Sequence, residues 1–263
     1  MTAYGEFTAA AVAVAREAGA ILRDGLGGVR QIAYKGEVDL VTEMDQRAEA
    51  LIVAAITAQF PAHRIVAEEG SGPRTGDSPY RWLIDPLDGT TNYAHGNPQF
   101  AVSIALQHGA DTIVGVVYDP MRDELFRAER GGGAFLNDRP LHVSAVDTLI
   151  RAMLVTGFPY DAALRGVALA HWTAFSYAAQ AIRRYGAAAL DLCAVAAGRC
   201  DAFYEAHLGP WDAAAGALIV AEAGGTVTDY DGGPFDPFQG IIIASNGHLH
   251  DAIRAVLAET PLA

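Results

Sequence analysis

The stretch WLIDPLDGTTNY, residues 82–93, sets Asp85 and Asp88 three positions apart at the end of an apolar run and follows them with Gly89, Thr90, Thr91 and Asn92. No basic residue between Leu83 and Tyr93 could pair with either acid. An uncompensated carboxylate at a buried strand end is costly, so the pattern asks for a cation. Two carboxylates and the Leu87 carbonyl are hard oxygen donors, suited to Mg²⁺ and not to zinc. Free amides at the start of a following helix would hold an anion. A divalent cation beside an anion is what metal-assisted phosphate chemistry needs. Acids near a turn also serve as Asx-turn or N-cap groups, so the motif alone leaves both roles open. Further acids stand at chain positions of the same kind. Glu68 and Glu69 end the apolar run RIVAEEG, and Asp212 lies in the first turn of a helix in GPWDAAAG, where capping is its alternative role.

These residues need elements to position them. Thr8 to Leu26 has helical apolar spacing and stops at a glycine breaker, and QIAYKGEVDLVTEMD reads as a β ribbon turning at Gly36. Thr42 caps a second helix, with Asp45 in its first turn, running to about Gln59. RIVA and YRWLID are strands, separated by the aperiodic loop SGPRTGDSP, which is expected to be mobile and to order when metals bind. FAVSIALQ, TIVGVVYDP and ELFRAER complete an antiparallel sheet. From about residue 148 strands and helices alternate, as in an α/β arrangement, with helices over about 162–178, 187–197, 211–223 and 248–258. The expected organisation is one domain with two lobes, about residues 1–147 and 148–263.

Composition narrows the partners. With 263 residues, 51% of them hydrophobic, the chain can bury a sizeable core. A formal charge of −13 without clustered Lys and Arg opposes nucleic acid and anionic membranes as ligands. The amphipathic N-terminus, carrying Glu6, Arg16 and Glu17, reads as a helix and not as a signal peptide. Cys193 and Cys200 match neither a disulfide framework nor a zinc spacing and read as core residues, which fits a cytoplasmic setting. His95, His142, His171 and His248 lack ligand spacing. Three rival motifs fail. The spacing is D-x-x-D where a phospho-aspartyl nucleophile would want D-x-D. DYDGGPFD lacks the ligand spacing of a calcium loop and reads as a hairpin turn, and RGGGAF lacks the Lys-Ser/Thr of a P-loop.

Taken in order, KGEVDLVTEMD, VAEEG, WLIDPLDGTTNYAHG, GGGAFLN, YGAAALDL and WDAAAGALIVAEAGG resemble the inositol monophosphatase family over essentially the whole chain. The resemblance implies a layered α-β-α-β-α sandwich of the sugar-phosphatase type, Mg²⁺ dependence, lithium sensitivity and a homodimer. It assigns one Mg²⁺ to Glu68, Asp85 and the Leu87 carbonyl, a second to Asp85, Asp88 and Asp212, and leaves room for a third near Glu68. Glu68 and Thr90, with Asp45 bonded to Thr90, would activate a water for in-line attack, and amides near Gly89, Thr90 and Thr91 would hold the phosphate. Lys35 and Glu69 match accessory positions, although Lys35 could equally be a solvated hairpin-tip charge. Glu205 matches the acid that bonds an inositol hydroxyl, and Gly186, Ala187 and Ala188 the backbone that lines the ring. By itself Glu205 could equally be a strand-end surface charge.

Two departures bear on substrate. Ala187 stands where the family often has Ser or Thr, and Gly209 where some members have His, so strict inositol specificity is in question. The reading is a phosphomonoesterase acting on myo-inositol monophosphate or another small phosphorylated polyol or sugar. The alternative within the class is fructose 1,6-bisphosphate; the alternative outside it is a regulatory subunit of an RNA-processing or transcription complex.

Overall fold

The structure, a computed structural model, describes residues 4–28, 32–34, 40–70 and 77–262. Lys35, the ribbon tip around it and most of the loop after Gly70 lie outside the described residues. The first half runs α1 (Gly5–Gly25), β1 (Ile32–Tyr34), β2 (Leu40–Thr42), α2 (Glu43–Gln59), β3 (Arg64–Ala67), β4 (Tyr80–Asp88), α3 (Thr90–Ala94), β5 (Ala101–His108), β6 (Asp111–Asp119), β7 (Glu124–Glu129), β8 (Gly133–Leu136) and β9 (Arg139–Pro140). The second half runs β10 (Met153–Thr156), α4 (Arg165–Ala178), β11 (Ala181–Arg183), α5 (Ala188–Ala196), β12 (Ala202–Ala206), α6 (Pro210–Glu222), β13 (Thr226–Thr228), β14 (Ile241–Ser245) and α7 (His250–Ala258).

Strands β3 to β9 form one seven-stranded sheet in chain order; the second sheet has five strands in the order β11-β10-β12-β14-β13. α1 and α2 cover one face of the larger sheet, α5 and α6 fill the space between the sheets, and α4 and α7 cover the outer face of the smaller one. This is the layered α-β-α-β-α sandwich expected. Its strands are apolar on both faces because both are covered. Along β4, Leu83 turns into the central layer while Trp82 and Ile84 turn toward α1 and α2. Along β14, Ile242 and Ala244 face the central layer and Ile243 the outer one. That alternation is the two-residue period of a strand.

Three expectations need correction. The first-half sheet is not wholly antiparallel: β3 pairs parallel to β4. β4 does not end at Asp85 but continues to Asp88, with its register against β5 shifting between those two residues. A bulge there accommodates Pro86, which has no ladder N–H to give. The strands β8 and β9 were not anticipated, because the glycines before them read as a turn and the runs that follow are too short to show a period. No described helix is long and apolar enough to cross a membrane.

Candidate active site

The second half of the β4 strand and the short α3 helix supply the centre of the site. Gly89 joins them in a left-handed conformation, φ +96°, and a side chain there would meet the Gln99 carbonyl. Asp85 Oδ1 accepts the Leu87 N–H at 2.9 Å, closing an Asx turn around Pro86. Both roles left open for these acids therefore coexist: the carboxylate shapes its own turn and still faces the cavity. Asp88 does not fold back on Asp85 but reaches across to the second half, where its two oxygens accept the N–H groups of Ala188 (3.1 Å) and Ala189 (2.8 Å) at the start of α5. The Ala188 N–H, from the segment expected to line a substrate ring, is thereby committed to Asp88.

Thr90 Oγ1 lies 3.0 Å from both Asp45 Oδ1 and the Leu87 carbonyl. The other Asp45 oxygen accepts the Thr42 N–H at 2.9 Å and its hydroxyl at 2.6 Å, the capping box of α2. Asp45 is thus buried behind Thr90, bonded to it as expected. Thr91, one residue on, does not line the cavity, because a step of about 100° round the helix turns it aside. Asp212 Oδ2 accepts the Gly209 N–H at 2.7 Å, capping α6 as its alternative role required, while the residue also lines the cavity.

One cavity of about 250 Å³ gathers Glu68, Asp85, Leu87, Asp88, Gly89, Thr90 and Asp212. Gly186, Ala187 and Ala188, which lie against Gly89 and Asp88, line the same cavity with Glu205, so the residues expected to carry chemistry and those expected to bind a ring share one space. Burial, then Glu68, Asp88 and Asp212 in turn, hold the Asp85 carboxyl well above the usual carboxylate range. Asp88 is pushed up to about 7, burial outweighing its backbone donors. Among the described residues neither has an ion-pair partner, and the two are 2% and 7% exposed. Also among the described residues, no three His, Cys, Asp or Glu side chains already form a metal cage. The donors nevertheless fit a divalent cation: buried, mutually repelling carboxylates and a backbone carbonyl, all oxygen, facing one cavity. Burial, followed by Asp212, raises Glu205 to about 8, against a downward pull from Arg184.

Several residues of the site went unnoticed in the sequence. Glu49, fully buried on α2, accepts the Glu69 N–H at 2.7 Å and so holds the turn that carries Glu68. Its signal was an acid on the helical face of Ala48, Ile52 and Ile56. Asn92 donates to the Tyr185 carbonyl at 2.8 Å, fastening the segment before α5 to α3. Asp191, 2% exposed and lining the cavity, has an Oδ1 with no hydrogen-bond partner, and stands out in sequence as the one acid of an apolar helix. Arg184 and His207 also line the cavity, the latter with φ +68°, and nothing in their sequence neighbourhoods marked them. Cys193 and Cys200 are buried core residues, as expected.

The chain matches the model of the inositol monophosphatase family over residues 4–261. It is 48% identical to inositol-1-monophosphatase of Synechocystis over 240 residues, 89% of this chain and 83% of that protein. It is 44% identical to the Nus factor SuhB of Vibrio cholerae, covering 94% of this chain and 92% of that one. The crystal structure of extragenic suppressor protein suhB from Bartonella henselae superposes with a TM-score of 0.93 at 41% identity, over 97% of this chain and all of that one. On the matched length, the layered fold and the gathering of both acidic motifs around one cavity, this chain belongs to the inositol monophosphatase family.

Proposed function

We propose that the chain is a Mg²⁺-dependent phosphomonoesterase that hydrolyses myo-inositol monophosphate by direct attack of water. The observation that carries the reading is the convergence of acids from β3, β4 and α6 with the Thr90–Asp45 pair on one cavity that Glu205 also lines. Glu68, Asp85, the Leu87 carbonyl, Asp88 and Asp212 would hold two Mg²⁺, with a third near Glu68. When bound, the metal supplies Lewis acidity and makes water a competent nucleophile at neutral pH. Thr90 Oγ1, held by Asp45, orients the attacking water, and the Glu68 carboxylate takes up its proton. As the water oxygen bonds to phosphorus the ester P–O bond breaks, the cation held by Asp85, Asp88 and Asp212 would offset the charge on the leaving oxygen, and that oxygen takes a proton from solvent to leave as the alcohol. Glu205 then accepts a hydrogen bond from a ring hydroxyl.

The test is phosphate release from inositol 1-phosphate, fructose 1,6-bisphosphate, 3′-phosphoadenosine 5′-phosphate and histidinol phosphate, each with Mg²⁺ and with EDTA. Selective Mg²⁺-dependent release from inositol 1-phosphate supports the reading. Preference for fructose 1,6-bisphosphate keeps the mechanism and moves the substrate; release that persists in EDTA counts against metal dependence. Lithium inhibition in the same assay, a homodimer by light scattering and residence in the cytoplasm belong to this reading.

The relative named Nus factor SuhB favours a second reading, a regulatory subunit of a transcription or RNA-processing complex. Asp88→Asn separates the two. A cellular role that survives loss of turnover would make the regulatory reading the main one.

A further inference from the structure

We infer that Arg184 is a specificity-determining residue for the reaction proposed above, paired with Glu205 to read two neighbouring hydroxyl groups on the uncharged polyol part of the substrate. Among the described residues it is the one guanidinium or ammonium lining the cavity. Its neighbour Arg183 is occupied by the Ile182 carbonyl, whereas Arg184 has no hydrogen-bond or ion-pair partner among the described residues. Arg184 Nη1 lies 2.6 Å from the point where a Cβ on Gly186 would stand, with Asn92 Nδ2 3.2 Å from the same point. The guanidinium thus lies over the Gly186–Asn92 contact. Its backbone has a firm base there, because Asn92 bonds the Tyr185 carbonyl and Asp88 bonds the Ala188 and Ala189 amides just beyond.

The position of Arg184 along the cavity decides what it can read. Glu205 and Asp191 line the same cavity as Arg184 and both feel its guanidinium. A guanidinium only donates hydrogen bonds, a carboxyl offers an accepting oxygen whether or not it is protonated, and a hydroxyl does both. Lining one cavity, Glu205 as acceptor and Arg184 as donor match two adjacent hydroxyls, one donating and one accepting. A second phosphate suits this cavity poorly: it would bring further negative charge to a lining of carboxyls in which Arg184 is the one cationic side chain among the described residues. Hydroxyls carry no such penalty.

The inference rests on the phosphatase reading and is tested by steady-state kinetics with Mg²⁺. The wild type, Arg184→Met, Arg184→Lys, Glu205→Gln and the double variant Arg184→Met/Glu205→Gln are compared on inositol 1-phosphate, glycerol 2-phosphate and fructose 1,6-bisphosphate. Arg184→Met should raise KM for inositol 1-phosphate about tenfold with kcat within about twofold, and should raise KM for glycerol 2-phosphate, which lacks adjacent hydroxyls, far less. Arg184→Lys should recover part of the loss, since an ammonium donates but lacks the planar fork. The double variant should lose less than the two single losses combined, because one ring is read by both. An equal KM rise for the first two substrates, or a fall in kcat alone, overturns the assignment. A KM rise confined to fructose 1,6-bisphosphate also overturns it and makes Arg184 a reader of a second phosphate. If Arg184→Met fails to fold, Arg184→Lys with wild-type KM values for every substrate overturns it as well. Failure of the phosphatase reading itself is distinct, because the wild type would then release nothing from inositol 1-phosphate.

Discussion

At the Asp85 end of the cavity, three cavity-lining acids and the threonine come from two short runs, residues 68–69 and 85–90, carried by neighbouring strands of one sheet. At the Glu205 end, Gly157, Arg184, Asp191, Glu205 and His207 come from separate segments of the second half, brought together by the smaller sheet and α5. The first end is over-determined. Its turn, bulge and caps are each made by the same side chains that face the cavity, so the acids cannot move without undoing local structure. The second end is assembled from loops at strand and helix ends, where a side chain can change without breaking an element. On the function proposed above, chemistry would fall to the rigid end and selectivity to the assembled one.

The largest effect that would break this division is expected for Asp88→Asn. Turnover should fall on the order of 10³-fold, as for loss of one group that stabilises transition-state charge. Folding should lose only about 1 kcal/mol, because asparagine keeps one of the two acceptors that cap α5. A variant with normal turnover would remove the Asp85 end from the chemistry.

Stability against pH comes next. Asp88 is raised from 3.8 to about 7 and Glu205 from 4.5 to about 8, so between those limits the folded chain binds more protons than the unfolded one. The stabilisation from these protonated acids is complete below their unfolded values and is lost as pH rises through the folded ones. In EDTA the Tm should therefore fall from about pH 5 to about pH 8, and added Mg²⁺ should raise it more at the upper pH. A Mg²⁺ increment that is flat across the window would mean that the cation does not meet these carboxylates.

Gly157→Ala sharpens the other side. A Cβ at residue 157 would fall on both Glu205 carboxylate oxygens, so that carboxylate must shift. KM for inositol 1-phosphate should rise about threefold to tenfold, with kcat changed far less. The smallest effect is at His207, whose φ of +68° strains a residue with a Cβ. His207→Gly should stabilise the fold by up to about 1 kcal/mol in denaturant unfolding. A destabilised glycine variant would show that the imidazole makes contacts that outweigh its backbone cost.

The same asymmetry governs how much was legible beforehand. WLIDPLDGTT could be read because its chemistry is local: an apolar run that ends on acids, followed by a glycine and a helix start. The β ribbon of β1 and β2 and the cap at Thr42 were legible for the same reason. Asp45 could be linked to Thr90 only through family likeness, since 45 residues separate them and no periodicity joins them. Arg184 and His207 left no trace in the sequence, because a charged residue after a strand has the same local appearance whether it faces solvent or a cavity.

The sequence by itself determined the types of most elements and the oxygen-donor character of the acidic motif, because these follow from side-chain period and donor chemistry. The tertiary structure decided that β3 runs parallel to β4, that Asp88 caps a helix one hundred residues away, and that a lone guanidinium shares a cavity with Glu205. Those facts depend on which surfaces two sheets and three helix layers bury against one another. Burial also turns ordinary carboxyls into groups held near neutral pH, and no single segment encodes how deeply its neighbours will enclose it.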